Sequence, residues 1–342
     1  MTVIGTLFRG IAIVSLLATP GLALAQDKPV QLKLSHWVPP AHPLQPAIQD
    51  WANSIKADSN GTITSTIFPA EQLGKAFDHY DMARDGIADM TYVNPGYQPG
   101  RFPLIAVGQI PFTFTDGRKG TAALDDWYRK YAATEMKDTH FCFAFIHDPG
   151  AYHGRKKVVA PEDIKGMKIR PAQSTIGQMV TMLGGTNVQA SAPEARDVLE
   201  RGVADAIFFP WGSMFLFGLD KVTKYHMDVP LYSTVFTYSI NKAKYESMSA
   251  AQKKVIDDHC NAEWAVKVAG PFVDFEVAGR AKMKAAAGHE VYELTPDQLK
   301  AWKTATEPLY KQWADAVAKT GANPDVLYKE FQQSLAKQGA GF

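Results

Sequence analysis

The chain has 342 residues, of which 46% are hydrophobic, and its 36 Lys+Arg against 35 Asp+Glu leave a formal net charge of +1. That length and apolar share suffice for two packed domains. The balanced charge, with no basic tail or acidic block, removes the electrostatic case for a nucleic-acid partner.

At the amino terminus Arg9 precedes an apolar run over residues 11–18, and Ala23, Leu24 and Ala25 follow before Gln26. This pattern predicts a secretory signal peptide over 1–25, cleaved after Ala25. The apolar run is too short to cross a bilayer, and no later stretch reaches the roughly 18 uninterrupted apolar residues a membrane helix needs. The expectation is an exported, soluble protein of the periplasm. That compartment permits disulfides. The two cysteines, Cys142 in a strand-like run and Cys260 in a helical one, either pair or lie buried apart, and sequence does not decide between these.

Residues 30–35 alternate apolar and polar side chains as a strand does, and they end in His36, Trp37 and a Pro39-Pro40 turn. A helix is expected over 43–59 and a strand over 62–69. The loop 70–75, with Gln72, leads into a helix stopping near Gly86, and a short strand covers 89–93. Strand, helix, strand, helix, strand at this spacing predicts an α/β layer on a largely parallel sheet. Residues 94–103, which include Asn94 and Tyr97, carry too much Gly and Pro for regular structure and read as a loop at that strand's carboxyl end. A helical stretch over about 117–136 precedes the continuous apolar run 141–147, a strand buried on both faces.

A second α/β unit begins near Tyr152. It holds a strand ending at Arg170, a helix over 174–183, an extended piece at 186–189, a helix over 193–201 and an apolar segment over 204–211 with Phe209 and Trp211. Residues 234–240 alternate as a strand that returns the chain to the first unit. Beyond Ser249 the pattern is mostly helical, and one long run over 250–284 should kink at Pro271. The expected architecture is α/β with two lobes: residues 26–147 plus about 234–270 in lobe I, and 148–233 plus about 271–335 in lobe II, with a ligand cleft between them.

Arg170 is the centre of the functional reading. Pro171 cannot donate to a sheet ladder and biases Arg170 toward extended geometry, so the guanidinium falls at a strand's carboxyl end, where open α/β sheets bind ligands. A planar fork of donors there suits a carboxylate held by two parallel hydrogen bonds. The other candidates follow from the same placement: His36 and Trp37 past the first strand, Gln72 past the second, and Tyr92, Asn94 and Tyr97 at the end of the third. Phe209 and Trp211 close the apolar segment of the second unit. No G-x-S-x-G, H-E-x-x-H, C-x-x-C, P-loop or G-x-G-x-x-G pattern occurs. The closest histidine pairs, His36 with His42 and His147 with His153, fit neither one helix face nor one strand face. No catalytic residues, metal or cofactor are therefore expected.

Three motifs, Phe68-Pro69-Ala70-Glu71-Gln72-Leu73-Gly74, Ala83-Arg84-Asp85-Gly86-Ile87-Ala88-Asp89-Met90 and Pro161-Glu162-Asp163-Ile164-Lys165-Gly166-Met167-Lys168-Ile169-Arg170, stand in this order behind the signal peptide. Together they resemble the DctP-like solute-binding proteins of tripartite ATP-independent periplasmic (TRAP) transporters, over residues 31–331. The resemblance implies a two-lobed periplasmic binding protein fold, type II-like, with hinge strands and a long kinked helix across both lobes. It further implies closure over an organic anion, delivery to small and large integral-membrane subunits, and a monomer. In the family the arginine ending the third motif binds the ligand carboxylate, and Arg170 stands in that place. A second basic residue often precedes it, for which Arg155 is the candidate. Where the family commonly places a polar residue after an Asp-Gly-like pair, this chain has Asp205-Ala206 and then Ile207-Phe208-Phe209-Pro210-Trp211. That aromatic wall favours a monocarboxylate with an apolar, aromatic or keto-bearing body. A C4-dicarboxylate and an ectoine-like zwitterion are the alternative ligands, and an exported enzyme or a ligand-sensing module are the alternative functions.

Overall fold

A computed structural model describes residue 2 and residues 27–342; the expected signal peptide and its cleavage site lie outside the described residues. The strands in chain order are β1 (Val30–Ser35), β2 (Ile63–Phe68), β3 (Met90–Val93), β4 (Thr139–Ile146), β5 (Ala151–Gly154), β6 (Lys168–Arg170), β7 (Thr186–Asn187), β8 (Ala206–Phe209), β9 (Tyr225–Met227), β10 (Val235–Asn241) and β11 (Glu290–Tyr292). They form a five-stranded sheet of order β2-β1-β3-β10-β4 and a six-stranded sheet of order β11-β9-β5-β8-β6-β7. β10 returns to the first sheet, as its alternation predicts.

In the first sheet β2, β1, β3 and β4 run the same way, as expected, and only β10 is reversed. β1 runs parallel to β2 and β3, but β10 pairs antiparallel with both β3 and β4. The βαβ spacing reports only the start of the sheet, because the later pairings are made by a strand that comes back from the second sheet, about 90 residues downstream of β4 in sequence.

The helices are α1 (Leu44–Asp58), α2 (His79–Arg84), α3 (Gly117–Tyr128), α4 (Ala132–Glu135), α5 (Ser174–Met182), α6 (Ala195–Glu200), α7 (Trp211–Leu216), α8 (Lys242–Glu246), α9 (Ala250–His259), α10 (Ala262–Ala285), α11 (Pro296–Thr306), α12 (Pro308–Ala318) and α13 (Pro324–Gln338). The run expected over 250–284 is two helices. Asn261 adopts extended backbone and its side-chain oxygen accepts from the Trp264 N–H, which caps and restarts the chain as α10. Cys260, at the break, is bonded to Cys142 in β4, so the two cysteines are paired.

α10 has 24 residues and is about 36 Å long. It contacts α1, α3 and β4 on the side of the first sheet and α7 and β11 on the side of the second, with Pro271 inside it. A Cβ on Gly279 would run into the backbone of Gly212, so α10 and the start of α7 touch main chain to main chain. The carboxyl-terminal segment does not all go to the second lobe. Trp302 of α11 is buried with Tyr152 and Ile164, but α13 packs on α3, where Phe331 meets Phe114 and Trp127 and the Ser334 hydroxyl donates to Ala123 O at 2.8 Å.

Candidate ligand cleft

The carboxyl ends of β1, β3 and β4 from one sheet and of β6 and β8 from the other converge on a single cavity, as expected of open α/β sheets. It is narrow, about 30 Å³, within about 380 Å³ of interatomic space that includes open solvent. The first sheet contributes Trp37, Val38 and His42 after β1, Tyr92, Asn94 and Tyr97 at the end of β3, His147 after β4, and Thr234 and Phe236 at β10. The second contributes Arg170, Ala172, Ala192, Phe209 and Pro210, with Ser213 and Phe217 from α7 and its end; Phe272 comes from α10.

Arg170 is the one Lys or Arg side chain among these lining residues, and it is 1% exposed. Two of its five N–H groups are committed: Nε donates to Ala190 O at 3.0 Å and Nη2 to the Tyr97 hydroxyl at 3.2 Å. The other three have no protein acceptor, and no carboxylate lies within ion-pair distance among the described residues. Its Cζ lies 5.5 Å from the Phe209 ring centre, a cation–π contact. A buried guanidinium with no counter-ion is costly, and the fold retains it facing a cavity.

Tyr97 ties the two sheets together beside it. Its hydroxyl oxygen accepts from Arg170 Nη2 and from the Ala192 N–H at 2.9 Å, and its own hydrogen has no protein acceptor among the described residues. The preceding residue must be glycine: a Cβ on Gly96 would collide with the Gln173 Cβ, where the loop meets the start of α5. Asn94 shapes the same loop, its side-chain oxygen accepting from the Gly96 N–H at 2.9 Å.

The walls are aromatic. Trp37 stacks on Tyr92 at 4.7 Å with 19° between the planes, and its Nε1 donates to Tyr92 O at 3.1 Å. Phe236 lies 6.2 Å from Trp37 and 6.4 Å from Phe272. His147 is a satisfied core residue, its Nδ1 donating to Asp148 O at 2.5 Å and its Nε2 accepting from the Thr234 N–H at 3.0 Å; burial pulls its pKa down to about 4. Behind Ser213, Glu276 of α10 accepts from the Gly212 N–H and from the backbone and hydroxyl of Ser213, fixing the start of α7. Burial outweighs these bonds and pushes the Glu276 carboxyl up to about 8.

Of the residues singled out from sequence, Arg170, Trp37, Tyr92, Asn94, Tyr97 and Phe209 line this cavity. Four do not. Arg155 is exposed and its guanidinium caps the carbonyls of Val222 and Leu199, because it follows β5 at the edge away from the cleft. His36 is buried under the Pro39-Pro40 turn, with Nε2 against Gln45 Oε1 at 2.6 Å. Gln72 is on the surface. Trp211 points behind the wall onto His153, with ring centres 4.8 Å apart. Sequence reasoning also missed His42, Phe217, Phe236 and Phe272, which reach the cavity from a turn, a helix end, a returning strand and a distant helix. Among the described residues no group of three or more His, Cys, Asp or Glu is arranged to hold a metal, and no helix is long and apolar enough to cross a membrane.

Residues 34–316 match the family described as bacterial extracellular solute-binding protein, family 7. A marine-metagenome TRAP solute-binding protein specific for aromatic acid ligands, crystallised with 3-hydroxybenzoate, is 33% identical, with a TM-score of 0.84 over 91% of this chain and 99% of that one. A TRAP solute-binding protein from Rhodoferax ferrireducens T118, with copurified benzoate, is 26% identical, with a TM-score of 0.84 over 91% and 98%. One from Bordetella bronchiseptica, with bound (R)- and (S)-mandelate, is 26% identical, with a TM-score of 0.84 over 90% and 99%.

Proposed function

Because the chain belongs to the bacterial extracellular solute-binding proteins of family 7, the solute-binding components of TRAP transporters, we propose that it captures an aromatic monocarboxylate in the periplasm and delivers it, as a monomer, to small and large membrane subunits. The observation that carries the reading is Arg170: a buried cation without a counter-ion, opening on a cavity with aromatic walls. The free N–H groups of Arg170 and the Tyr97 hydroxyl hydrogen converge as donors for the carboxylate. The ring then lies among Trp37, Phe209, Phe236 and Phe272, where burial contributes about 25 cal/mol per Å². The bodies that relatives hold, benzoate, 3-hydroxybenzoate and mandelate, support this ligand class.

The lining argues against the alternative ligands. A dicarboxylate needs a second cation, and Arg155 is elsewhere. A zwitterion's cation would find aromatic faces but no carboxylate among the lining residues. The test is a thermal-shift and calorimetric screen of residues 27–342 with benzoate, 3-hydroxybenzoate, mandelate, succinate, glucuronate and ectoine. A ligand at about one hundred times its Kd adds roughly 2.7 kcal/mol to stability. Stabilisation by the aromatic acids alone is expected; a response confined to succinate, glucuronate or ectoine overturns the assignment.

A further inference from the structure

Two polar groups that line the cavity have no hydrogen-bond partner among the described residues, the Tyr92 hydroxyl and one nitrogen of His42, and only the second is a ring N–H with its tautomer set by the backbone. His42, 1% exposed, lines the cavity with one ring nitrogen already assigned: the Leu44 backbone N–H donates to Nδ1 at 3.1 Å. A nitrogen that accepts from an N–H holds a lone pair, so the ring is neutral and its single proton is on Nε2. Nε2–H has no protein acceptor among the described residues. Of the neighbouring histidines, His147 uses both nitrogens on the backbone, and His36, whose Nε2 bonds Gln45 and whose Nδ1 is unpartnered, does not line the cavity. Burial, followed by the proximity of His36 and His147, pulls the His42 pKa down to about 3, in keeping with a ring that stays neutral. Its ring is held edge-on by Phe272 at 4.5 Å, within the aromatic wall.

We propose that His42 is a specificity-determining residue: its Nε2–H donates to an uncharged oxygen carried by the ring of the aryl carboxylate, a phenol, ether or carbonyl oxygen, and so selects oxygenated aryl monocarboxylates over the bare ring. This rests on the carboxylate reading of Arg170. Nε2–H faces the cavity, so a ligand that fills the cavity and supplies an acceptor gains over one that covers the N–H and leaves it bare. A second carboxylate is disfavoured at this point, because His42 can become a cation only by giving up the Leu44 bond. The residue therefore separates ring-oxygenated monoacids both from unsubstituted acids and from diacids.

The experiment is calorimetry with benzoate, 3-hydroxybenzoate and 4-hydroxybenzoate on the wild type, His42→Asn and His42→Gln. Asparagine places its side-chain oxygen near the Nδ1 position and keeps the Leu44 bond without a donor at Nε2; glutamine places an N–H₂ near Nε2. The wild type should prefer the better of the two hydroxybenzoates to benzoate by about tenfold or more. His42→Asn should bring the ratio of hydroxybenzoate to benzoate affinity to about one, whatever it does to benzoate alone, and His42→Gln should retain most of the wild-type ratio. Equal wild-type affinities, or an Asn variant that keeps the wild-type ratio, overturns the inference and leaves the carboxylate reading standing. No binding of any of the three acids by the wild type removes both.

Discussion

Replacing Arg170 by methionine tests whether the buried guanidinium exists for the ligand. Methionine fills similar volume without charge. The structure gives the magnitude: three free N–H groups allow a two-bond grip on a carboxylate, and charge-assisted bonds contribute about 1.5–3 kcal/mol each, so about 3–6 kcal/mol of binding disappears. That corresponds to roughly a 100- to 20,000-fold rise in Kd for 3-hydroxybenzoate. The ligand-free protein should behave differently. The variant loses bonds to Ala190 O and Tyr97 but also loses a buried charge with no counter-ion, and such replacements are often neutral or stabilising. Its melting temperature should stay within about 3 °C of the wild type, a shift of about 1 kcal/mol. Arg170→Lys should fail to bind as well, because the ammonium keeps the charge and loses the fork. Calorimetry reads the Kd and scanning fluorimetry the melting temperature. A Kd unchanged within threefold in Arg170→Met refutes the reasoning, and so does a large fall in ligand-free stability with a Kd that moves only in proportion.

Tyr97→Phe removes both the acceptor that joins Arg170 to Ala192 and a donor to the ligand; it should weaken binding by about tenfold, mostly as faster dissociation in stopped-flow measurements. Reducing the Cys142–Cys260 bond, which spans 118 residues of sequence, should cost about 4–5 kcal/mol in the chain-entropy account and lower the melting temperature, while the Kd stays constant because neither cysteine lines the cavity. Acid should destabilise the fold. Burial pulls the pKa values of His42 and His153 to about 3, of His79 and His147 to about 4 and of His226 to about 2, so the unfolded chain takes up protons near pH 6.5 that the folded chain refuses. Their stabilisation is present above pH 6.5 and is lost as pH falls toward 4, at about 1.4 kcal/mol per unit for each. Glu276 and Glu135, raised to about 8 and 7, act in the opposite direction: their contribution is complete below about pH 4.5 and lost as pH rises through 7 and 8. Five histidines outweigh these two carboxyls and Asp148, which burial raises to about 6, so urea titrations from pH 6.5 to 5 should show a steady fall in stability; a flat profile contradicts the burial of these rings.

What sequence could say about this cleft was limited to what strand ends could say. Arg170, Trp37, Tyr92 and Asn94 each follow or end a strand whose direction is legible, and the topology sends those ends to one place. Arg155 follows a strand too, but β5 pairs antiparallel with β8, so its outgoing end lies opposite the cleft; strand direction is a property of the sheet, not of the local sequence. His42 is hidden for another reason. The His36-Trp37 pair draws attention at the strand's end, yet the Pro39-Pro40 turn folds the chain back so that the histidine six residues later enters the cavity. Phe272 appears in sequence as one apolar residue of a long helix, and only the packing of α10 across both sheets turns it inward. The cysteine pair was undecidable because their closeness depends on where α10 begins against β4.

In the structure the two sheets meet across the cleft through Tyr97, Arg170 and Ala192. Tyr97 comes from the loop after β3 and Arg170 from the end of β6, so if the lobes close over a ligand as the family resemblance implies, closure without an anion would take the guanidinium out of water uncompensated. A ligand shifts an open–closed balance only by binding the closed state better, and on the proposed closure the differential term would be charge neutralisation more than ring burial, because an aromatic body could contact one wall in either state. Benzamide separates the two contributions: it has the ring and the shape of benzoate without the charge. At saturating concentration, benzoate should reduce the radius of gyration in small-angle scattering, whereas benzamide should occupy the aromatic wall and leave the scattering of the ligand-free protein unchanged. If benzamide closes the protein as fully as benzoate does, closure is driven by the aromatic walls, and the unpaired charge of Arg170 serves recognition alone.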